Sequence, residues 1–288
     1  MERCIATLPA LLLLDEDIKE WLKEDIGRGD RTTSSLLLPE RSLGSAKWVA
    51  KASGIVAGLP LAARVFQLLD NQVEFISLLK EGEPCQPGEV LAEIKGSLNA
   101  LLTGERVALN LAMRLSGIAT LTQKYVEQIS DLPTQFVDTR KTTPGLRLLE
   151  KYATKVGGAT NHRMGLDDAV MIKDNHIAVA GGIGKAISQI RSQVPYPTKI
   201  EVETENLEQV KEALVNRTDI IMLDNMSLEL MHEAVKIIRQ QDSQVKVEAS
   251  GNINLDNIRL VAEAEIDYIS SSAPITQSKW LDLSMRMY

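Results

Sequence analysis

The first apolar stretch of the chain, residues 5–14, runs directly into an acidic segment, 15–25, whose apolar residues recur at helical spacing. The stretch is short and has no small-residue cleavage site, so it does not fit a signal peptide. We expect an N-terminal amphipathic helix packed on a folded domain. No other stretch approaches the length that a membrane-spanning helix needs.

Residues 45–94 have a different pattern, in which short alternating segments are separated by Gly and Pro. Alternation of this kind is typical of β-hairpins, and an intervening helix is predicted at 61–69. Residues 98–128 return to helical spacing, with Gly117 predicted to interrupt the helix. Together these stretches predict a small N-terminal α/β domain.

The rest of the chain alternates short apolar runs with helical segments. The predicted strands are 135–139, 169–173, 199–204, 219–225, 245–251 and 267–272. The predicted helices are 183–193, 207–215, 228–241 and 255–265. Strands alternating with helices indicate βα units and a parallel sheet, most simply closed as a barrel. An open doubly wound sheet also fits this pattern.

The composition is that of a folded globular protein: 288 residues, 44% hydrophobic and 25% charged. The formal net charge of -7 disfavours nucleic acid and membrane surfaces as partners, because the field of the whole molecule repels both. Cys4 and Cys85 are far apart and have no His neighbours at metal-ligand spacing. This argues against a disulfide framework and a zinc site, and it predicts a reducing, cytoplasmic location.

Residues 138–176 concentrate cations on this acidic chain. Lys151 and Lys155 lie in a predicted helix, 146–156, where a solvated face is the expected role. The others stand beside turn signals or strand ends, where binding groups tend to be placed. These others are Arg140, Lys141, His162, Arg163 and Lys173. The segment therefore predicts a pocket for a small anion.

Polar groups end each predicted strand, and in a barrel these ends meet at one rim. These groups are Asp138, Thr139, Arg140, Lys173, Asp174, Glu203, Asp224, Asn225, Glu248, Ser250, Ser270, Ser271 and Ser272. Glu203 and Asp224 suit a hard divalent ion such as Mg²⁺. Ser250, Gly251 and Asn252 come just before a predicted helix, where backbone N–H groups can bind phosphate. Simple helix caps are the preferred interpretation of Asn225, Ser227, Asn254 and, near the N-terminus, Asp30. The residues alone thus predict a phosphorylated substrate with Mg²⁺, together with an organic acid.

The central motifs are long and specific. DTRKTTPGLR, NHRMGL, IKDNH, IMLDN and EASG, in this order and behind GERVALN and SGIAT, resemble the quinolinate phosphoribosyltransferases. The resemblance runs from EDIGRGDRTT to LDLSM, nearly the whole chain. It implies transfer of a phosphoribosyl group from phosphoribosyl pyrophosphate to quinolinate with decarboxylation, which yields nicotinate mononucleotide, pyrophosphate and CO₂ for NAD biosynthesis.

The resemblance also implies an architecture, that of the type II phosphoribosyltransferases. A small α/β domain, 1–115, joined by the C-terminal segment 276–288, would accompany an incomplete α/β barrel, 116–275. The protein would be a homodimer in which Arg106 of one subunit reaches a substrate carboxylate in the other.

Site residues carried over from the family's motifs have two kinds of role. Lys141, Lys173, Glu203 and Asp224 would be catalytic, with Mg²⁺ held by Glu203 and Asp224 partly through water and substrate. The substrate-binding set would be Arg106, Thr139, Arg140, Lys141, His162, Arg163, Lys173, Glu203, Asp224, Ser250, Gly251 and Ser272. Glu201 lies on the same strand face as Glu203, so either carboxylate could be on the metal side.

Two positions depart from the family's pattern. Asn252 follows EASG where a second Gly is usual, and Ser272 stands where a Gly is usual nearby. Asn tolerates unusual backbone angles, so we expect binding to be retained with altered contacts. Two other functions fit the sequence: a phosphoribosyltransferase for nicotinate or a related acid, and a non-catalytic barrel that senses phosphoribosyl pyrophosphate or a pyridine acid.

Overall fold

The computed structural model describes residues 7–36 and 42–288 and divides the chain into two compact units. The first unit comprises the described residues of Met1–Gln123 with Thr143–Gly158 and Gln277–Tyr288. The second comprises Lys124–Thr142 and Ala159–Thr276. The first unit therefore includes 143–158, a segment that lies inside the second domain of the sequence prediction.

A four-stranded antiparallel sheet forms the centre of the first unit, in the order β12-β1-β5-β3. Its strands are β1 (Leu43–Ala50), β3 (Glu74–Ser77), β5 (Val90–Ser97) and β12 (Leu283–Met287), and β2 (Gly54–Ile55) pairs separately with β4 (Pro84–Cys85). The helices are α1 (Leu11–Ile26), α2 (Arg31–Ser35), α3 (Leu59–Leu69), α5 (Arg147–Val156) and most of α4 (Leu98–Gln128). The predicted amphipathic N-terminal helix is confirmed as α1, although residues 5 and 6 of the apolar run lie outside the described residues.

Aromatic packing fills the core of this unit. Trp48 on β1 is fully buried and meets Phe66 and Phe75 edge-on, with ring centroids 6.4 and 5.6 Å apart. Edge-to-face pairs of this geometry add to the stability that area burial gives. The alternating segments of 45–94 thus form antiparallel strands, as predicted, which divide between the four-stranded sheet and the separate β2–β4 pair.

Two expectations about α4 and α5 are wrong. Gly117 does not interrupt α4, which is continuous. The missing side chain of Gly117 serves close packing instead, because a Cβ there would lie 2.1 Å from the backbone oxygen of Lys279. Lys151 is not on a solvated face, because the side of α5 that carries it is fully buried. Helical period alone does not tell which face of α5 is covered. Lys155 is partly exposed, which is closer to the solvated position that was expected for both lysines.

The second unit is a six-stranded parallel sheet in the order β6-β11-β10-β9-β8-β7. Its strands are β6 (Gln135–Val137), β7 (Val170–Ile172), β8 (Ile200–Thr204), β9 (Ile220–Asp224), β10 (Lys246–Ser250) and β11 (Tyr268–Ser270). The two edge strands, β6 and β7, do not pair with each other within the described residues. The parallel, barrel-like sheet that lacks closure confirms the predicted incomplete barrel.

Helices follow the strands of this unit as βα units require. They are α6 (Asp174–Ala180), α7 (Ile183–Arg191), α8 (Leu207–Val215), α9 (Leu228–Gln241), α10 (Ile258–Ala262) and α11 (Ala273–Thr276). The predicted bounds of α8 and α9 are confirmed, while α6 was missed and α10 is shorter than predicted. Within 7–36 and 42–288, no helix has both the length and the apolar character needed to cross a membrane.

Short-range caps explain several polar residues. The carboxylate of Asp30 accepts the backbone N–H of Thr33 at 2.9 Å and its hydroxyl at 2.5 Å, and these bonds lower the pKa of Asp30. Ser227 caps α9 by accepting the N–H of Leu230. Both caps were predicted, and both satisfy helix N–H groups that have no partner in the helix.

We predict that Gly117→Ala destabilises the first unit. The new Cβ must displace the backbone at Lys279, so we expect a loss of about 1–3 kcal/mol in the free energy of unfolding, although Ala favours a helix over Gly by about 1 kcal/mol. Urea unfolding measures the loss, and faster hydrogen exchange in β12 would locate it.

Gly145→Ala is the matched control, because nothing lies within 4 Å of a Cβ at that position. It carries a backbone cost only, since its φ is +83°. Unchanged exchange in β12 of the Gly117→Ala protein would contradict the packing account.

Candidate active site

A cavity of about 550 Å³ opens at the carboxyl ends of the strands in the second unit. Its volume is within the range of small-molecule sites. The lining residues are Thr139, Arg140, Lys141, His162, Arg163, Met171, Lys173, Glu203, Met222, Asp224, Asn225, Glu248, Ser250, Gly251, Asn252 and Ser270. All six strands contribute to it, either directly or through the residues that follow them.

Alternation along the strands selects which side chains face the cavity. Glu203 on β8, Met222 on β9 and Glu248 on β10 occupy aligned register positions. Asp224 and Ser250 follow two residues later on the same face and are also aligned with each other. The sheet thus presents successive layers of side chains, with polar groups in both of these layers.

Three cations follow or lie close to β6. Arg140 and Lys141 come after a bend in which the hydroxyl of Thr139 accepts the backbone N–H of Lys141 at 3.0 Å. Arg163 donates from Nη1 to the backbone oxygen of Ala169 at 2.9 Å, which fixes its side chain. Burial, and then the charge of Arg140, lower the pKa of Arg163, so these two guanidinium groups act on each other.

Lys173, after β7, is the fourth cation of the cavity. Its Nζ lies 2.7 Å from Oε2 of Glu203, and the Lys side chain is 43% exposed. Its backbone N–H donates to Nδ1 of His176 at 3.0 Å at the start of α6. The His of the IKDNH motif therefore orders the helix start next to Lys173, and Lys173 with Glu203 forms an ion pair at the rim.

Below the rim, His162 lies between two buried carboxylates. Its Nδ1 accepts the backbone N–H of Arg163 at 2.7 Å. A neutral ring then carries its proton on Nε2, which lies 3.1 Å from Oε2 of Glu201 and 3.6 Å from Oε2 of Glu248. Burial, and then the Glu201 carboxylate, raise the pKa of Glu248 to about 8.

Asp138 holds the loop that carries His162. This buried carboxylate accepts the backbone N–H of His162 at 2.9 Å and the side-chain amide of Asn161 at 2.6 Å. Hydrogen bonds from N–H donors to a buried carboxylate are strong and directional. They fix the position of the NHR motif relative to β6.

The loop after β10 packs tightly against Asn225. Gly251 has φ +95°, and a Cβ there would lie 2.2 Å from Oδ1 of Asn225. Asn252, with φ 53°, donates from Nδ2 to the same oxygen at 3.0 Å. The other end of the Asn225 amide donates to Oδ2 of Asp224 at 2.7 Å. Asn252 thus has the left-handed backbone that a Gly would adopt, and its amide joins the network.

Two expectations about this loop are corrected. Asn225 is not a helix cap, because its side chain bridges Asp224 and Asn252, and Ser227 caps the helix instead. The Ser250–Gly251 turn is not next to a helix start, because α10 begins only at Ile258. Asn254 accepts the backbone N–H groups of Asp256 and Asn257 in a turn that fills the gap. Asn side chains compete with the helix for these backbone groups, which delays its start.

Most of the predicted site residues meet in this one cavity. Those brought together are Thr139, Arg140, Lys141, His162, Arg163, Lys173, Glu203, Asp224, Ser250 and Gly251. Arg106 is on an exposed face of α4 in the first unit. Ser272 directly precedes α11, and its backbone oxygen accepts the N–H groups of Ile275 and Thr276. Neither of these two lines the cavity.

Several other lining residues were not assigned an individual site role. Met171 and Met222 were not singled out at all, whereas Asn225, Glu248 and Ser270 were among the strand-end groups expected at the rim and Asn252 was part of the expected phosphate-binding turn. Met222 and Glu248 stand two residues before Asp224 and Ser250, so strand alternation could have indicated them. Nothing in the sequence showed how deep the cavity reaches along each strand.

The charges of the cavity define what it can bind. Four cationic side chains, of Arg140, Lys141, Arg163 and Lys173, face the carboxylates of Glu203 and Asp224 and the Glu248 carboxyl group. Guanidinium and ammonium groups bind carboxylates and phosphates. A barrel-like parallel sheet with such a cavity at its carboxyl ends defines the class, an α/β-barrel protein with a site for anionic ligands.

Family comparison agrees with this class. Residues 118–286 match the domain family described as "Quinolinate phosphoribosyl transferase, C-terminal domain", and residues 30–116 match the corresponding N-terminal domain family. The chain belongs to the quinolinate phosphoribosyltransferase family. It has the carboxylating nicotinate-nucleotide pyrophosphorylase activity of NAD biosynthesis, as the sequence predicted.

Individual relatives are similar over nearly their whole length. A probable nicotinate-nucleotide pyrophosphorylase (carboxylating) of Synechocystis is 58% identical over 97% of this chain and 94% of its own. Its Bacillus subtilis counterpart is 43% identical over 95% and 93%. The crystal structure of NadC from Streptococcus pyogenes has a TM-score of 0.93 and 42% identity, covering 98% of this chain and 99% of the other.

We predict that Asn252→Gly unfolds at a higher urea concentration than Asn252→Ala. Both variants lose the hydrogen bond from the side-chain amide of residue 252 to Asn225, so the difference between them isolates the backbone cost of φ 53°. Left-handed geometry costs an Ala about 1–2 kcal/mol relative to Gly. Equal unfolding free energies for the two variants would contradict the assigned backbone conformation.

Proposed function

We propose that the cavity of the second unit is where quinolinate and phosphoribosyl pyrophosphate react. The supporting observation is the gathering of four cations and two rim carboxylates at the carboxyl ends of the parallel strands. A dicarboxylate and a triply phosphorylated sugar together carry many negative charges. The arrangement offers direct partners for them in a site where Coulomb interactions are stronger than in bulk water.

The proposed chemistry begins with attack of the quinolinate nitrogen on the anomeric carbon as pyrophosphate leaves. Arg140 and Arg163 hold the carboxylates of the ring, and Lys141 and Lys173 offset the charge of the phosphates. This transfer leaves the ring as a pyridinium. When the adjacent carboxylate departs as CO₂, its electron pair stays on the ring carbon, where the neighbouring positive nitrogen stabilises it, so no further electron sink is required.

Mg²⁺ fits the donor set at the rim. Glu203 and Asp224 are hard oxygen donors at the ends of neighbouring strands, and both line the cavity. When bound, Mg²⁺ would offset charge on the leaving pyrophosphate. Glu201 is 3% exposed and lies beside His162, so it lacks the room for the waters that Mg²⁺ usually keeps. This supports Glu203, rather than Glu201, as the metal-side carboxylate.

His162 has a supporting role in this proposal. Both of its ring nitrogens already face protein groups. Nδ1 accepts the backbone N–H of Arg163, and Nε2 faces the carboxyl groups of Glu201 and Glu248. The ring therefore positions Arg163, the next residue, rather than offering a free nitrogen to substrate. This differs from the direct substrate contact expected from the sequence.

A homodimer would complete the site. Arg106 is exposed on α4 and is free to contribute to a partner's cavity, as the family resemblance implies. A second subunit's cation would serve the second carboxylate of quinolinate, which nicotinate lacks. Ser250 and Gly251, which line the cavity, would contribute to holding the ribose phosphate.

Turnover with matched substrates tests the proposed function. Purified protein is incubated with phosphoribosyl pyrophosphate and Mg²⁺, and with either quinolinate or nicotinate. We expect CO₂ and nicotinate mononucleotide from quinolinate alone, with loss of turnover after chelation and recovery when Mg²⁺ is restored. Binding of quinolinate without turnover would contradict the proposal and favour a sensor.

A second prediction concerns the shared site. We expect Arg106→Ala to raise the KM for quinolinate at least tenfold, and Lys173→Ala to inactivate the cavity that carries it. Each mixed dimer then contains one intact cavity, completed by the wild-type Arg106 of the Lys173→Ala subunit. Random 1:1 mixing should restore roughly a quarter of wild-type activity if the site is shared across a two-fold axis.

Lys124→Ala, a substitution on α4 outside the cavity, is the control for Arg106→Ala and should leave the KM for quinolinate unchanged. No recovery of activity in mixed dimers, despite exchange of subunits shown by mass spectrometry, would place Arg106 outside the partner's site.

A further inference from the structure

The reaction needs a proton that the groups assigned above do not obviously supply. Loss of CO₂ leaves an electron pair on the ring carbon, and nicotinate mononucleotide carries hydrogen at that position. Arg140 and Arg163 remain protonated in proteins, and Lys173 is engaged with Glu203 at 2.7 Å. An acid in contact with the ring would complete the chemistry.

Glu248 has the position of such an acid. It lines the cavity, yet its residue is only 3% exposed. Its Oε2 lies 3.6 Å from Nε2 of His162, while its Oε1 is buried without a hydrogen-bond partner among the described residues. A charged carboxylate with an unpartnered oxygen is costly in such a place, whereas the neutral acid is not.

The groups facing Glu248 keep it protonated near neutral pH. Burial is the largest cause, and the carboxylates of Glu201 on β8 and of Asp138 after β6 act in the same direction. His162 and the hydroxyl of Ser270 on β11 act in the opposite direction but do not outweigh them. The balance raises the pKa of Glu248 to about 8, so the carboxyl carries its proton below that pH.

We propose that Glu248 is the acid that protonates the ring carbon from which CO₂ departs. The bond from ring carbon to carboxylate breaks and its electron pair stays on carbon, next to the pyridinium nitrogen. The O–H bond of Glu248 breaks as the new C–H bond forms, and CO₂ leaves. Water then returns a proton to the carboxylate, so the step needs no other reactant.

Glu248 is better suited to this step than the lysines of the cavity. A lysine that gives up its proton loses the positive charge that holds phosphate or carboxylate. A buried neutral acid begins without charge and so does not compete for the substrate's anions. Tuning of a carboxyl group by burial and a second carboxylate is a common way to keep an acid ready at neutral pH.

Glu248→Gln in the full-length protein tests the inference, which rests on the proposed function. Rapid-quench single turnovers measure pyrophosphate and CO₂ separately. We expect pyrophosphate release to stay within roughly threefold of wild type, while CO₂ release falls about 100-fold or more. Quinolinate mononucleotide should then accumulate. Glu208→Gln, an exposed exchange on α8, is the matched control and should release both products as wild type does.

Each other outcome has a definite meaning. Equal pyrophosphate and CO₂ at wild-type rates from Glu248→Gln would overturn the role of Glu248 and leave the proposed function intact. Loss of both products with unchanged affinity for both substrates would also overturn it, because Glu248 would then act in the transfer step. A wild-type protein that releases no pyrophosphate would instead overturn the proposed function.

A measurement on the wild-type protein keeps the inference testable if the variant does not fold. The protonated form is the active one, so the rate of CO₂ release should fall as the pH rises past about 8, while pyrophosphate release in the same turnover should not. Infrared spectroscopy should show the carbonyl band of a protonated carboxyl at pH 7. Parallel pH dependence of both products, or no such band, would overturn the proposal.

Discussion

Repulsion between like charges at the carboxyl ends of the parallel strands is the constraint on which the rest of the site depends. Arg140 and Arg163 lie close enough for one to lower the pKa of the other. Such cations can be kept together only if substrate anions or fixed carboxylates offset their charge. Glu201 opposes the shift at Arg163, and Glu203 pairs with Lys173. The acidic groups within the sheet are therefore part of the anion site.

Depth along a strand separates two roles for chemically identical side chains. Glu201 and Glu203 point to the same face of β8, two residues apart. Glu203 is at the rim, paired with a half-exposed Lys, whereas Glu201 is buried against His162. Water and phosphates reach the rim, so a hydrated ion fits there. Charge is more costly at the buried level. This favours the contact between His162 and Glu201 and a neutral Glu248.

Most of the fold could be predicted from the sequence because its signals are local. Strand and helix alternation located all six strands of the second unit and the bounds of α8 and α9. Errors arose where three-dimensional packing decides: Gly117 accommodates the backbone at Lys279, and Lys151 is fully buried. Within the site, most of the residues predicted from the motifs line one cavity, but Arg106 and Ser272 do not. Glu248 belongs to the EASG motif, but its burial beside Glu201 depends on three-dimensional packing that the motif does not show.

The loop after β10 shows how a departure from a family's usual residue can be accommodated. A glycine at position 252 would satisfy the backbone but would leave Oδ1 of Asn225 without the amide that now binds it. Asn is one of the few residues that tolerate a φ of 53°, and its side chain adds the missing donor. Asn225 in turn holds Asp224, a rim carboxylate, at 2.7 Å. The substitution therefore ties the loop to a proposed metal-side group, which argues for retained catalysis rather than for a barrel that only senses its ligands.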